Sequence, residues 1–380
     1  MEILRYTEAH AQFRVRLRDF CDREVRPQAD RWEEEHNVPR EMWRKIGRAG
    51  FLCPGVAPAY GGLGGDFLYA FIVAEELSRT WQTGLAASLH SDVVVPYIEA
   101  FASEALKQKY LPGCVSGDIV TALAMTEPGA GSDVAAMQTT AVETGDTVVI
   151  NGSKTFISNG VSCDLVVLAA KDPAVANKHQ AVSLYLVEAG TAGFKKGRRL
   201  EKMGWHSQDT AELFFSDCRI PVKNRLGEQG SGFFLLMEKL QQERLACAMG
   251  AVLAAERIME YTIDFCKRTQ VAGKPLVRSQ AVQFALVEMS AEARIGRTFL
   301  EKLIADHMEK KNIVVEVSMA KFWCTDTTHR MAGRALDLIG PFGTLEACPM
   351  ARAFRDTRVM SIFAGTNEIM KGIAAKFMGL

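Results

Sequence analysis

Between Phe233 and Arg268 the chain runs without a proline and with a single glycine, Gly250. Proline inside a helix removes a backbone donor and clashes with the preceding turn. A stretch this free of breakers predicts one long helix or two stacked ones. Such a helix must bury an apolar face against others. Residues 280–309, residues 314–339 and the C-terminal segment have the same helical character. Together they predict a four-helix bundle over residues 227–380.

Upstream of Pro221 and Gly227 the pattern changes. Residues 147–150, 165–168, 182–187 and 213–215 are short β-branched or aromatic runs, and Gly145-Asp146, Asn151-Gly152 and Asn159-Gly160 separate them as turn dipeptides. This predicts an antiparallel β-domain over residues 122–226. Earlier still, Phe13, Leu17, Phe20 and Val25 recur at near-helical spacing before Pro27, and residues 40–49 carry an apolar stripe through Trp43 and Ile46. Gly61, Gly62, Gly64 and Gly65 precede an apolar helix at 67–77. They lack the GxGxxG order and the leading strand of a nucleotide fingerprint, and read as a tight turn. The expected fold class is α+β: an N-terminal helical domain (1–121), a middle antiparallel β-domain (122–226) and a C-terminal four-helix bundle (227–380).

Composition narrows the function. Forty-five basic residues balance 45 acidic ones, which argues against a nucleic-acid binder needing excess positive charge. No apolar run approaches the roughly 20 residues of a membrane span, so no membrane insertion is expected. The nine cysteines are dispersed, without zinc or CxxC spacing. They read as reduced thiols with no metal, in the cytoplasm, or in the mitochondrial matrix if a transit peptide has been removed.

Four segments carry chemistry. Residues 124–133 read AMTEPGAGSD, where two glycines and a serine can present backbone N–H groups and a hydroxyl to a phosphate. Residues 152–160 read GSKTFISNG, with Phe156 and Ser158 two apart and so on one face of a strand, which suits the flat ring and N5 of a flavin. Gln241-Gln242-Glu243-Arg244 lies in the long helix, and FAGTNEI occupies 363–369. Taken singly, these segments also suit a plain turn, an ordinary hairpin strand and a solvated ion pair. In order they resemble the acyl-CoA dehydrogenase family from end to end. Lys202-Met203-Gly204 and the run 208–213 (QDTAEL) strengthen the likeness, while Ser88-Leu89-His90-Ser91-Asp92 and the QER triplet look most like its long-chain and isovaleryl branches.

The resemblance implies FAD-dependent oxidation of an acyl-CoA to the trans-2-enoyl-CoA, with electrons passed to an electron-transfer flavoprotein by a homotetramer. It implies FAD contacts at Leu123, Thr126, Gly131, Ser132, Phe156, Ser158, Thr366 and Glu368. Gln280, Arg268 and Gly340 would reach FAD from a neighbouring subunit. It places Ser132, Phe234, Arg244, Ala364 and Gly365 at the substrate. Many family members carry the catalytic Glu just before the late Gly-Thr; this chain has Ala364 there, and Glu243 occupies the alternative position in the bundle helix. The implied mechanism removes the α-proton while hydride leaves the β-carbon for flavin N5, with the thioester carbonyl held by the backbone N–H at Ala364 and a ribityl hydroxyl.

The adenosine end departs from the family pattern. Thr269, Ala272, Asp337 and Pro341 stand where the resemblance leads one to expect Arg, Phe, Gln and Gly, and Arg268, about 100° round a helix from Thr269, offers partial compensation. Rival readings are an acyl group on a carrier protein, an oxidase using oxygen, and a scaffold that has lost turnover. His90 and Asp92 read as a capped, hydrogen-bonded turn near the acyl tail, with Asp92 a second carboxylate for an unusual substrate.

Overall fold

The computed structural model describes residues 3–380. Six helices come first: α1 (Glu8–Phe20), α2 (Ala29–Glu34), α3 (Arg40–Arg48), α4 (Phe67–Ser78), α5 (Val95–Phe101) and α6 (Glu104–Ser116). Thr7 starts α1 by accepting from the His10 backbone N–H, and His10 returns a bond to the Thr7 backbone, satisfying donors that a helix start leaves free. Pro27 sits in the short 3-10 turn after Val25. The glycines at 61–65 form turns rather than a strand–helix junction.

The strands follow: β1 (Thr121–Ala124), β2 (Thr140–Thr144), β3 (Thr147–Ser158), β4 (Leu165–Lys171), β5 (Val182–Glu188), β6 (Phe194–Arg199), β7 (Thr210–Pro221) and β8 (Arg225–Leu226), with short helix α7 (Lys178–Ala181) before β5. They form one sheet in the order β6-β7-β3-β2-β4-β5-β8, with β1 also on β4. Most pairs are antiparallel, but β1 and β2 run parallel to β4, so the sheet is mixed rather than purely antiparallel. In β4, Leu165, Val167 and Ala169 face the N-terminal helices while Val166, Leu168 and Ala170 face the opposite core. Burial on both faces is why its sequence is a continuous apolar run rather than an alternation.

Asn151-Gly152 is not a turn. It lies inside β3, where the pairing with β7 shifts register. Gly152 has φ +145°, and a Cβ there would meet the Thr139 Cα at 2.6 Å. The dipeptide accommodates a bulge and a close backbone approach, which a local reading cannot separate from a hairpin.

The last section contains α8 (Gly232–Arg268), α9 (Gln280–Met308), α10 (Val314–Ile339), α11 (Pro349–Arg358) and α12 (Asn367–Phe377). The proline-free stretch is one helix of 37 residues, about 55 Å long. The C-terminal segment divides in two because Ala364 and Gly365 both take positive φ (54° and 89°) and Thr366 caps a new helix start. Leu68 and Phe71 of α4 pack with Leu245 of α8, Leu300 of α9 and Val317 of α10, joining the first helical section to the bundle. Arg268 ends α8, and Thr269 has already left it with ψ 130°. The expected helical offset between these two residues therefore does not apply. Beyond them β9 (Gln270–Val271) and β10 (Lys274–Pro275) make a small hairpin.

Candidate active site

Glu243 lies on the buried face of α8 and is 6% exposed. Burial pushes its carboxyl up from the usual 4.5 to about 7, against the hydrogen bond from Tyr97 and the charge of Arg244. The Tyr97 hydroxyl donates to Glu243 Oε1 at 2.6 Å. Arg244 is buried too, and its Nε has no hydrogen-bond partner. A guanidinium left so is costly, and its place beside a carboxylate marks this stretch as more than a packed helix face.

His90 and Asp92 lie in a widened helical turn, Leu89–Val94, rather than a capped loop turn. His90 bridges the Thr121 hydroxyl (2.8 Å) and the Cys114 carbonyl (2.9 Å), and burial lowers its pKa to about 4. It is a structural, neutral imidazole. The Asp92 carboxyl is pushed up to about 7 by burial, with Ser88 opposing. The Gln242 side chain donates to the Asp92 backbone oxygen at 2.7 Å, which ties this segment to the turn of α8 that bears Glu243.

The 125–139 loop is clamped to β3. Lys154, fully buried, donates to the Met125 carbonyl (2.9 Å) and Glu127 Oε1 (2.8 Å). Glu127 also accepts from the backbone N–H groups of Gln138 and Thr139, and Thr155 N donates to the Thr126 carbonyl. These bonds bring Thr126 beside the strand that carries Phe156 and Ser158. The end of β3 is irregular, with a register shift between Lys154 and Ile157. Phe156 has φ +56° and is 69% exposed. A large aromatic held out of the core on a strained backbone suits a flat ring stacked against it. Ser132 and Gly131 are exposed, and a Cβ at Gly129 or Gly131 would meet nothing within 4 Å. Leu123 and Ser158 are half-buried nearby in sequence, on β1 and β3. This open loop and exposed ring fit a cofactor with a flat ring and a phosphate.

The late turn is held from inside the bundle. Lys321 of α10, fully buried, donates to the Gly365 carbonyl (2.7 Å) and to Asn367 Oδ1 (3.0 Å). Thr366 caps α12 by accepting from Ile369 N, and Glu368 sits in the first turn. The charges of both Arg244 and Glu368 act on Lys321, so α8 and this turn meet in one region.

Other expected residues stand apart. Phe234 is exposed beside an open recess of 610 Å³ lined also by Asp172, Val175, Gln180 and Ser231. Nine residues separate it from Glu243, about 14 Å and half a turn out of phase, so the two do not share a face. Arg268 pairs with Asp264 in the same helix, 2.6 Å away. Gln280 begins α9 and is exposed, and Gly340 caps the C-terminal end of α10. Among the described residues, none of these three is hydrogen-bonded to the 125–158 region. No cluster of three or more His, Cys, Asp or Glu positioned for a metal occurs among the described residues.

Tyr97, Lys154 and Lys321 lie outside the site residues that the sequence motifs point to. Lys321 left a signal: it lies on the buried stripe of α10 with Val317, Cys324 and Thr328, where a lysine is out of place unless paired. Tyr97 left none, because its partner lies 146 residues away.

The family models for the acyl-CoA dehydrogenase N-terminal, middle and C-terminal domains match residues 7–118, 122–218 and 230–379. The chain is 41% identical over 372 residues to the mitochondrial long-chain specific acyl-CoA dehydrogenase of Sus scrofa, covering 98% of this chain and 86% of that protein. The crystal structure of an acyl-CoA dehydrogenase from Geobacillus kaustophilus superposes with a TM-score of 0.97 at 48% identity over 99% of both chains. A chain solved with the work on the electron transferring flavoprotein of Acidaminococcus fermentans has a TM-score of 0.95 at 31% identity, over 100% of this chain and 99% of that one. Three consecutive domain matches and these full-length likenesses, on a fold that places a buried glutamate in α8, show that the chain belongs to the acyl-CoA dehydrogenase family of oxidoreductases.

Proposed function

We propose that the chain oxidises the α,β carbon–carbon bond of an acyl-CoA to the trans-2-enoyl-CoA, with Glu243 as the base that takes the α-proton. The observation that carries this reading is the buried Glu243 carboxyl, pushed up to about 7, in a chain with no carboxylate at Ala364. An α-proton of a thioester is too weakly acidic for an ordinary exposed carboxylate. Burial raises the basicity of the carboxylate toward the working pH. The developing enolate also needs a donor at its oxygen. The Ala364-Gly365 turn, braced by Lys321, supplies a backbone N–H that is independent of the side chain at 364.

FAD bound at this site supplies the acceptor for the hydride that leaves the β-carbon. Phe156 would pack against the ring, Ser158, Thr126 and Ser132 would hydrogen-bond to the cofactor, and Leu123, Gly131, Thr366 and Glu368 would complete its walls. Gln280, Arg268 and Gly340, which make no hydrogen bond to the 125–158 region, would reach the cofactor of a neighbouring copy, so the active form is at least a dimer and a homotetramer is the proposed assembly. Ala364, Gly365 and Ser132 would lie beside the thioester and Arg244 along the substrate near Glu243, while Phe234, on another face of α8, would meet only a distant part of it. An electron-transfer flavoprotein is the electron acceptor, a reading supported by the Acidaminococcus likeness.

The test is anaerobic mixing of the FAD-loaded protein with acyl-CoAs of varied length and branching while flavin absorbance is followed. In Glu243→Gln, FAD and substrate remain bound and flavin reduction falls about 10²–10⁴-fold. Adding Ala364→Glu restores part of it, since small misplacements of a base are costly. Normal reduction in Glu243→Gln overturns the assignment. Reduction by carrier-protein thioesters alone moves the substrate class, and a yellow protein that no thioester bleaches is a scaffold.

A further inference from the structure

We propose that Tyr97 is the positioning residue for Glu243, its hydroxyl anchoring one carboxylate oxygen and leaving the other for the substrate. The inference rests on the reading of Glu243 as the base. Tyr97 lies near the start of α5, where Pro96 occupies the first turn. Its ring is 0% exposed and crosses from the N-terminal helices to α8. The 2.6 Å O···O distance falls in the range of hydroxyl donors to ionised carboxylates. Glu243 has no other hydrogen-bonded side-chain partner among the described residues.

The charged and titratable surroundings leave Tyr97 this role. On α8 itself stand Glu238, Lys239 and Arg244; α5 contributes Glu99, the 89–94 turn Asp92, and α10 Lys321. Lys239 sits over the Phe101 ring and acts on Glu99 rather than Glu243. Lys321 is committed to Gly365 and Asn367. Arg244 lends charge to Glu243 but makes no hydrogen bond to it. Two consequences follow from the phenol. A pinned oxygen removes rotamer freedom from a group that must meet a C–H bond in one geometry. A donor to the charged form also favours it, opposing the desolvation that burial imposes. The Tyr97 hydroxyl stays protonated throughout, since burial and then the neighbouring carboxylate push its own ionisation well above 10.

The experiment is Tyr97→Phe in the FAD-loaded protein, which removes one oxygen and keeps the ring. Flavin-reduction rate is measured against pH, alongside the dissociation constant of a non-oxidisable thioester analogue and the melting temperature. Titration of the carboxyl is followed without substrate by infrared difference against Glu243→Gln. Losing one hydrogen bond to a charged group raises the apparent pKa of the base by about one to two units. The rate should therefore fall about tenfold or more below pH 7 and recover toward pH 9. Analogue affinity and melting temperature should stay near the parent's. A profile and infrared titration that superimpose on the parent's overturn the inference. So does a pH-independent loss accompanied by weaker analogue binding, which indicates a merely structural role. Normal reduction in Glu243→Gln sinks the base assignment itself, whereas a dead Glu243→Gln beside an unshifted Tyr97→Phe sinks only the role of Tyr97.

Discussion

At the residue scale, the molecule holds several charged groups where a core would ordinarily exclude them, and each has a readable consequence. Glu243 titrates near 7 in the fold and near 4.5 unfolded. Its folded pKa is raised, so the stability linked to its protonation is fully present below 4.5 and is lost as pH rises through about 7. Glu243→Gln should flatten this part of the stability–pH curve. It should stabilise the protein by up to about 3 kcal/mol at pH 8 and leave it unchanged at pH 4, as read by denaturant melts at both pH values. An equal gain at both would show that burial does not set the ionisation. Lys154 behaves differently because it is paired. Lys154→Met strands Glu127 in the core and should cost about 3–5 kcal/mol. Lys154→Met combined with Glu127→Gln should recover part of that loss, and a strictly additive double variant would deny the coupling.

At the element scale, β3 and the late turn show how irregular backbone presents the site. Phe156 stands out of the core because β3 breaks register after Lys154, and Ala364 lies in a sharp turn because α12 restarts at Thr366. The β9–β10 hairpin carries two of the four departures from the pattern expected at the adenosine end: Thr269 at its entry, and Ala272, at positive φ beside Gly273, in its turn. An Arg–phosphate pair is charge-assisted, while Thr offers one neutral bond. Thr269→Arg with Ala272→Phe should therefore slow FAD dissociation. An unchanged FAD dissociation constant would show that Arg268 or other groups already compensate.

At the scale of the whole molecule, α9 leaves an apolar stripe uncovered. Phe284, Val287 and Ile295 are 58%, 67% and 58% exposed, and with Ala291 they recur every three or four residues within about 80° of the helix circumference. A row of this kind is what a helix offers to another copy. Val287→Glu with Ile295→Glu should lower the assembly state in sedimentation equilibrium and, through Gln280 and Gly340, loosen FAD. An unaltered assembly state would place the interface elsewhere, and a monomer that keeps flavin and turnover would remove the need for one. No helix among the described residues is long and apolar enough to cross a membrane.

The chain's sequence by itself determined the three-part architecture. Periodicity is a local property: the breaker-free run of α8 and the doubly apolar run of β4 declare themselves without their neighbours. The absence of a carboxylate at 364 and its presence at 243 were legible for the same reason, as residues in line with a motif. Tertiary structure alone decided the rest. Asn151-Gly152 has the same turn propensity in a hairpin as in a bulge, and only pairing with β7 chose between them. The parallel partners of β4 depend on contacts made far along the chain. The bond from Tyr97 to Glu243 joins residues 146 apart, and no local pattern encodes it. It exists because the packing of α5 against α8 excludes water from both groups, and excluding water is what makes a buried carboxylate basic.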